Sequence, residues 1–272
     1  MPYGEARQAT VQTSEWDKRV RRAAELAERY TFANEILDFY GRVLTLQQAV
    51  VEEIGARAVA SAAEEASLRS RLNVSNVSRH LPALFSLAEK HGPAKLAEEA
   101  GVVARLSQEE REDLLRNFLT GESTAHAFFA RALLQPYAEK LAANLPQPPP
   151  AGDRFACPIC GSRPQTAVLR PEGDGGKRFL LCSLCLTEWE FRRILCAACG
   201  EENYQKLPRY CAEDVAAVRV EACDTCHFYL KSIDLTVDGL AVPLVDEVAA
   251  VPLDLWAAEH GYKKIEPNLM GF

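Results

Sequence analysis

One short turn occurs twice in this sequence, as Cys157-Pro158-Ile159-Cys160-Gly161 and, 39 residues later, as Cys196-Ala197-Ala198-Cys199-Gly200. A further Cys-x-x-Cys pair follows each copy, at Cys182/Cys185 and at Cys223/Cys226, and these trailing pairs are 41 residues apart. A nearly constant offset is typical of a duplicated module. The four pairs therefore divide into two groups, each made of one leading and one trailing pair.

The chemistry of these pairs indicates two metal sites. Two cysteines three residues apart can face one cation from a single tight turn, and two such turns complete a tetrahedral four-sulfur site. The spacers within the groups are 21 and 23 residues, close to those of known sites of this type. The predicted ligands of one metal are Cys157, Cys160, Cys182 and Cys185, and those of the other are Cys196, Cys199, Cys223 and Cys226. A single pair could equally be a redox pair, but four pairs at duplicated spacing favour structural metal sites.

The residues around the cysteines refine this prediction. Gly161 and Gly200 follow the leading pairs, where the turn needs a positive φ, whereas Leu186 and His227 follow the trailing pairs. The trailing turns should therefore be less regular or strained. The ninth cysteine, Cys211, lies outside the repeat and is predicted to be an unligated thiol. His227 is not predicted as a ligand, because the cysteines already complete both sites.

Composition narrows the class of protein. At 272 residues, 48% hydrophobic and 25% charged, the chain is long enough for two domains with cores of their own. Residues 1–22 show no secretory signal, and no stretch approaches the roughly 20 apolar residues of a membrane span. We expect a cytoplasmic location, where thiols stay reduced and metal ligation is favoured over disulfides. No catalytic triad, phosphate loop or dinucleotide motif is present, so the sequence predicts no enzyme.

The charge disfavours nucleic-acid binding. The net charge is −7, and residues 151–272 carry 13 basic against 18 acidic side chains. A divalent ion with four thiolates would add a local charge of about −2 at each site. An acidic module of this kind is poorly suited to phosphates, so a zinc-ribbon nucleic-acid module is the weakest alternative.

The spacing of the apolar residues divides the chain into a helical first half and a second half of short strands and turns. Residues 1–145 are predicted to form a helical domain, with capping boxes beginning at Ser14 and Ser107, an apolar stripe from Phe32 to Ile54, a loop at 73–78 and a helix over 124–145. The Pro-rich segment 146–153 is predicted to be a linker. Metal modules are predicted over 154–194 and 195–240, followed by a C-terminal helix and tail over 241–272.

Short strands are predicted inside the two modules. The segments are 178–181, 188–195, 218–221 and 228–233, and alternation places Trp189 and Phe191 on one face. Each module would be a small hairpin assembly around a metal, with too little core to fold alone. Structural zinc contributes roughly 10–16 kcal/mol in comparable peptides, so we expect the C-terminal half to unfold without metal.

The cysteine region also resembles a known family, that of the formate dehydrogenase accessory protein FdhE. The resemblance covers about residues 154–270 and is looser over the helical half. It is carried by Cys157-Pro158-Ile159-Cys160-Gly161, Arg178-Phe179-Leu180-Leu181-Cys182-Ser183-Leu184-Cys185-Leu186-Thr187-Glu188-Trp189, Cys196-Ala197-Ala198-Cys199-Gly200, Glu221-Ala222-Cys223-Asp224-Thr225-Cys226-His227-Phe228-Tyr229-Leu230-Lys231, and an ending that contains Glu259-His260-Gly261-Tyr262 and Asn268.

The resemblance implies a specific fold and role. The fold would be a multidomain α+β protein, with an all-α N-terminal domain, two tandem rubredoxin-like or zinc-ribbon-like modules carrying iron, and a short C-terminal helix. The protein would act in the cytoplasm, bind the catalytic subunit of formate dehydrogenase and be required for that enzyme's activity. The eight paired cysteines would be the iron ligands, while Cys211 falls outside the family pattern.

Two questions stay open at this stage. Zinc and iron both accept four thiolates in tetrahedral geometry, so zinc is the alternative metal. An iron–tetrathiolate centre can also accept one electron, so a small redox protein acting on a formate dehydrogenase or a similar enzyme is the alternative function.

Overall fold

The structure is a computed structural model that describes residues 14–55, 67–122, 125–146, 154–173 and 175–272. Local sequence signals set the helix ends in the first half. The Ser14 hydroxyl accepts from the backbone N–H of Asp17, whose carboxylate accepts from the Ser14 N–H, and Ser107 and Glu110 do the same. Both predicted capping boxes are therefore confirmed. Gly121 ends its helix in the left-handed conformation with φ 79°.

Eight helices lie in the described part of the first half. They are α1 (Glu15–Arg29), α2 (Asn34–Gly55), α3 (Leu68–Arg71), α4 (Val74–Ser78), α5 (Leu81–His91), α6 (Ala94–Val103), α7 (Gln108–Thr120) and α8 (Ala127–Ala142).

Three predictions in this half need correction. The loop predicted at 73–78 is wrong, because helix α4 occupies it: Asn73 caps the helix, and Val74 and Val77 are buried. Phe32 does not extend the buried stripe, since it lies in a short 3₁₀ turn and is 48% exposed. The helix predicted over 124–145 begins later within the described residues, because His126 has a left-handed backbone with φ 57°.

A mixed sheet forms most of the second half. Its strands are β1 (Pro164–Glu172), β2 (Gly175–Cys182), β3 (Glu188–Glu190), β4 (Arg209–Cys211), β5 (Val218–Ala222), β6 (Phe228–Asp234) and β7 (Lys263–Lys264). Six of the strands run in the order β3-β2-β1-β6-β5-β4, and β7 pairs with β6. The sheet therefore contains strands from both predicted modules.

The two modules are joined rather than separate. Strand β1 of the first module pairs in parallel with β6 of the second, with Thr166 opposite Lys231 and Leu169 opposite Asp234. The two hairpin assemblies therefore share one sheet, a pairing that the sequence did not indicate. The strand predicted over 188–195 ends at Glu190, although Trp189 and Phe191 are both buried as expected.

The C-terminal helix is in fact two helices, α9 (Pro243–Ala249) and α10 (Val251–Glu259). The break falls at Ala250, and Pro252 occupies the first turn of α10. Proline has no N–H to donate and is well tolerated in a first turn, so it begins a helix here instead of interrupting one.

One hydrophobic core crosses the predicted domain boundary. It contains Leu37 and Leu133 from the helices together with Leu180 and Val245 from the second half, and it includes the four cysteines at 157, 160, 182 and 185. The length of the chain allows two domains with separate cores, but the two described halves share this one. The Pro-rich linker prediction falls mostly on residues 147–153, which lie outside the described ranges.

Charged contacts reinforce this junction. Arg22 of α1 makes a two-point ion pair with Asp246 of α9, at 2.6 and 3.0 Å, and a further bond to Asp238. Arg131 of α8 pairs with Glu266 at 2.5 Å. Such partly buried bidentate pairs fix relative orientation as well as contributing energy. None of the helices in the described ranges has the length and apolar character needed to cross a bilayer.

Candidate metal centres

All four Cys-x-x-Cys turns have the same backbone design. In each, the N–H of the first cysteine donates to the carbonyl five residues later, which closes the turn and leaves the sulfurs on one side. The pairs are Cys157 to Ser162 at 2.8 Å, Cys182 to Thr187 at 3.0 Å, Cys196 to Glu201 at 2.9 Å and Cys223 to Phe228 at 3.0 Å.

The residue after each pair adopts a left-handed backbone. Gly161 and Gly200 have φ values of 74° and 81°, while Leu186 and His227 have 55° and 57° in the trailing turns. A side chain in this conformation costs about 1–2 kcal/mol, a cost that glycine avoids. The strain predicted for the trailing turns is therefore present in their backbones.

The eight paired cysteines form two clusters. We name Cys157, Cys160, Cys182 and Cys185 the inner cluster, and Cys196, Cys199, Cys223 and Cys226 the outer cluster; within each, the sulfurs lie within 4.8 Å of one another. The grouping inferred from the repeat is the one the structure has.

The sulfur spacing fits a tetrahedral ion. Sulfur pairs that join the leading and trailing turns are 3.3 and 3.5 Å apart in the inner cluster and 3.7 Å apart in the outer one. Four thiolates about 2.3 Å from a zinc ion would be roughly 3.8 Å from one another, whereas disulfide sulfurs are about 2.05 Å apart. Both clusters therefore have the dimensions of a tetrathiolate site.

The inner cluster is enclosed by protein. Its cysteines are at most 7% exposed. Ser162 Oγ lies 3.3 Å from Cys160 Sγ, and Thr187 Oγ1 lies 3.2 Å from Cys185 Sγ, so both hydroxyls can donate to thiolates. Arg69 of α3 donates to the Cys160 carbonyl and to Ser162 Oγ, both at 2.8 Å. A helix from the first half thus holds a turn of this cluster.

The outer cluster faces solvent on one side. Cys196 and Cys223 are buried, but Cys199 is exposed and Cys226 is half-buried. Its turns are fastened by surface contacts, such as Thr225 with Glu201 at 2.5 Å. The positions that Ser162 and Thr187 hold in the inner cluster are held here by Glu201 and Phe228.

Burial explains why such clusters suit a cation. Burial raises the pKa of Cys182, because a thiolate loses its hydration there. The pKa of Cys160 is lowered, mainly because its side chain is hydrogen-bonded to Cys157. Four buried thiolates repel one another, and a bound divalent ion offsets that repulsion. The donor set therefore fits zinc or iron, and it does not distinguish them.

Other sequence candidates lie apart from these clusters. Cys211 is exposed on β4, and neither it nor His227 belongs to the two groups of possible ligands. Within the described ranges, no third group of histidine, cysteine or carboxylate side chains has a comparable arrangement.

Sequence reasoning missed the residues that support the clusters. Arg69 is remote in sequence and carries no local signal. Arg178 of β2 pairs with Glu221 of β5 at 2.7 Å and donates to the Arg192 carbonyl, so it links the two modules beside the outer cluster. Ser162 and Thr187 could have been found, because each follows its Cys-x-x-Cys pair by two residues.

Comparisons with known proteins agree with this architecture. Residues 156–193 match a family model described as FdhE, central domain, and residues 194–270 match one described as FdhE, C-terminal domain. A relative named Protein FdhE homolog from Aquifex aeolicus is 29% identical over 268 residues, covering 93% of this chain and 94% of the relative. A homologue of the same name from Rhizobium meliloti is 32% identical over 209 residues, covering 71% and 66% of the two chains.

A solved structure extends the likeness to the whole fold. The crystal structure of the FdhE protein from Pseudomonas aeruginosa matches with a TM-score of 0.73 at 26% identity, and the match covers 95% of this chain and 97% of that chain. The helical half, which the two family models do not reach, is included in this coverage. The chain therefore belongs to the FdhE family.

Proposed function

We propose that this protein is an accessory factor required for the biogenesis of active formate dehydrogenase, and that it binds the catalytic subunit of that enzyme through a metal-stabilised scaffold. The observation that carries the proposal is the pair of four-cysteine clusters on one sheet in a chain of the FdhE family. We place this activity in the cytoplasm, where the nine cysteines would stay reduced.

The eight clustered cysteines are the proposed ligands of two metal ions, with iron as our first choice and zinc as the alternative. The tetrahedral dimensions of both clusters support this assignment. A bound ion would neutralise thiolate charge and cross-link the loops that carry it. The trailing ligand turns lie at the end of β2 and between β5 and β6, and the leading turns lie in loops, so the ions would stiffen the surface that these segments present to a client.

The proposed role is support of a client rather than catalysis. The sequence contains no arrangement of nucleophile, base and orienting group, so the chemistry would remain with the enzyme being assembled. The acidic balance of residues 151–272 is compatible with a protein client and unfavourable for nucleic acid.

The test is co-purification of the tagged full chain with the formate dehydrogenase catalytic subunit, together with elemental analysis. We expect a complex and two metal ions per chain. Cys160→Ser should lose the inner ion and weaken the complex, and Cys211→Ser, which changes an exposed thiol outside both clusters, is the matched control. Failure of the metal-loaded wild-type chain to bind the subunit would refute the proposal.

A small redox protein is the second candidate, and the solvent exposure of Cys199 favours it. An iron–tetrathiolate centre near the surface can exchange an electron with a partner. A reversible iron couple that a physiological donor can reach would support this function. Full biological activity of a chain loaded only with zinc would exclude it, because zinc has no redox chemistry.

A further inference from the structure

We propose that the outer cluster is a metal-exchange site, whereas the inner cluster holds its ion permanently. This inference rests on the proposed metal ligation, and it assigns the two sites different roles: the outer one can take up an ion from, or give it to, a thiolate or chelating donor outside the chain.

The cysteines of the two clusters differ in their exposure to solvent. The inner cysteines at 157, 160, 182 and 185 are 4%, 7%, 0% and 1% exposed, so an incoming donor atom has little access to any of them. In the outer cluster Cys199 is exposed and Cys226 is half-buried. These two cysteines belong to different turns, so the leading and the trailing turn of the outer cluster each carry a ligand residue that solvent reaches.

The packing around the two clusters also differs. The inner cysteines are part of the main hydrophobic core, while the buried outer cysteines, Cys196 and Cys223, lie outside the hydrophobic cores of the described residues. Gln135 of α8 donates to the Ser183 carbonyl at 2.9 Å, and this buried contact holds the trailing turn of the inner cluster. Arg69 holds the leading turn. Opening the inner cluster would therefore require movement of the helical half.

The outer turns have weaker support. The phenol of Tyr262 donates to Asp224 at 2.6 Å in an exposed contact, and Thr225 is bonded to Glu201 in another. Surface contacts of this kind contribute little, because water competes for both partners. The ring of Phe155 covers Gly200 from one side, but this side chain is itself 42% exposed.

The exchange step is a ligand substitution. Cys199 Sγ would give up its bond to the ion as a donor atom from outside takes its place, and the released thiolate would take up a proton from water. No electron is transferred, so the step needs no oxidant or reductant. Replacement of Cys226 would follow, and Cys196 and Cys223 would leave last because they are buried.

The first test uses the zinc-loaded full chain and the chromogenic chelator 4-(2-pyridylazo)resorcinol. We expect two phases of zinc release, one ion in each, with rates that differ by at least about tenfold. Cys199→Ser should remove or further accelerate the fast phase and leave the slow phase within about twofold of its rate. Cys211→Ser should leave both phases unchanged. A single phase that releases both ions would overturn the proposal, as would loss of the slow phase in Cys199→Ser.

The second test needs no variant and so does not depend on folding. The zinc-loaded protein is treated with iodoacetamide, and the modified cysteines are identified over time by mass spectrometry. Cys211 should react first as an exposed thiol outside the clusters, followed by Cys199 and Cys226, with the inner cysteines last. Alkylation of the inner cysteines as fast as Cys199 would contradict the inference. A chain that binds no metal fails the proposed ligation, whereas two ions released together disprove only the exchange role.

Discussion

The inner and outer clusters differ in their surroundings and agree in their local structure. Both are built from the same closed turns, with the Cys157 N–H bonded to Ser162 at 2.8 Å and the Cys196 N–H bonded to Glu201 at 2.9 Å. Among the described residues, the main hydrophobic core contains the inner cysteines and no outer cysteine, and Arg69 of α3 contacts a turn of the inner cluster. The arrangement of the cysteines is therefore a local property of each turn, whereas the solvent exposure of the cysteines depends on the segments that pack against the turn.

The largest expected difference comes from removing the equivalent ligand in each cluster. Cys160→Ser should lower the free energy of unfolding by about 5 kcal/mol or more, because it removes a proposed metal ligand inside the main core. Cys199→Ser should cost less than half as much, since its side chain is exposed. Urea unfolding of the zinc-loaded proteins, followed by circular dichroism, measures both. Equal losses would show that the two sites are equally structural.

The next effect concerns a buried ion network between β6 and the helices α9 and α10. Lys231 of β6 is fully buried, with Asp254 at 2.5 Å and Glu247 at 3.0 Å. Lys231→Met leaves these carboxylates without one of their two lysines and should cost about 3–5 kcal/mol in unfolding free energy. Lys263→Met, at an exposed position of β7, is the control and should be nearly neutral. A neutral Lys231→Met would mean that the ion network contributes no net stability.

The same ion network should make the free energy of unfolding depend on pH in the acid range. Burial acts to raise the pKa of Glu247, but Lys231 and Lys264 outweigh it and lower that pKa below the ordinary value of 4.5. A lowered folded-state pKa contributes stability that is present above pH 4.5 and is lost as the pH falls through the folded value. Lys231→Met should weaken this acid dependence, which urea titrations at several pH values would measure.

A smaller effect is expected from removing the contact between helix α3 and the inner cluster. Arg69→Ala removes the bonds to the Cys160 carbonyl and to Ser162 Oγ, and it should cost about 1.5–3 kcal/mol in unfolding free energy. It should also speed zinc release from the inner cluster and leave the outer phase unchanged, which the chelator assay would detect. Arg105→Ala, at an exposed position, is the matched control. Faster release from the outer cluster alone would contradict the assigned contact.

The smallest effects concern the turns that both clusters share. His227→Gly should stabilise the protein by about 0.5–1 kcal/mol, because it removes the backbone strain of a non-glycine residue at φ 57°. Gly200→Ala should cost about 1–2 kcal/mol at φ 81°. Gly239→Ala, where φ is not left-handed and the new methyl group meets only ordinary contacts, is the control. Thermal unfolding of the metal-loaded proteins would resolve the opposite signs.

The local features of this protein could be predicted from its sequence. The cysteine spacing gives the grouping of the two clusters, Gly161 and Gly200 mark the left-handed positions, and the capping boxes at Ser14 and Ser107 begin their helices. Each of these depends on residues a few positions apart, or on a duplication that is visible as a repeat. Short-range sterics and hydrogen bonding are sufficient to specify them.

Other features depend on packing between segments that are distant in the chain. Strand β1 has no alternating pattern because residues 164–169 are all buried and both faces of the strand are covered, with Ala167 in the main core and Val168 packed near Leu244. Lys231 is polar in sequence but fully buried, because α9 and α10 bring carboxylates to it. Cys160 and Cys199 hold equivalent positions in the repeat, yet one is buried and the other exposed. Burial depends on segments far away in the chain, and no local pattern encodes which of two identical turns a helix will cover.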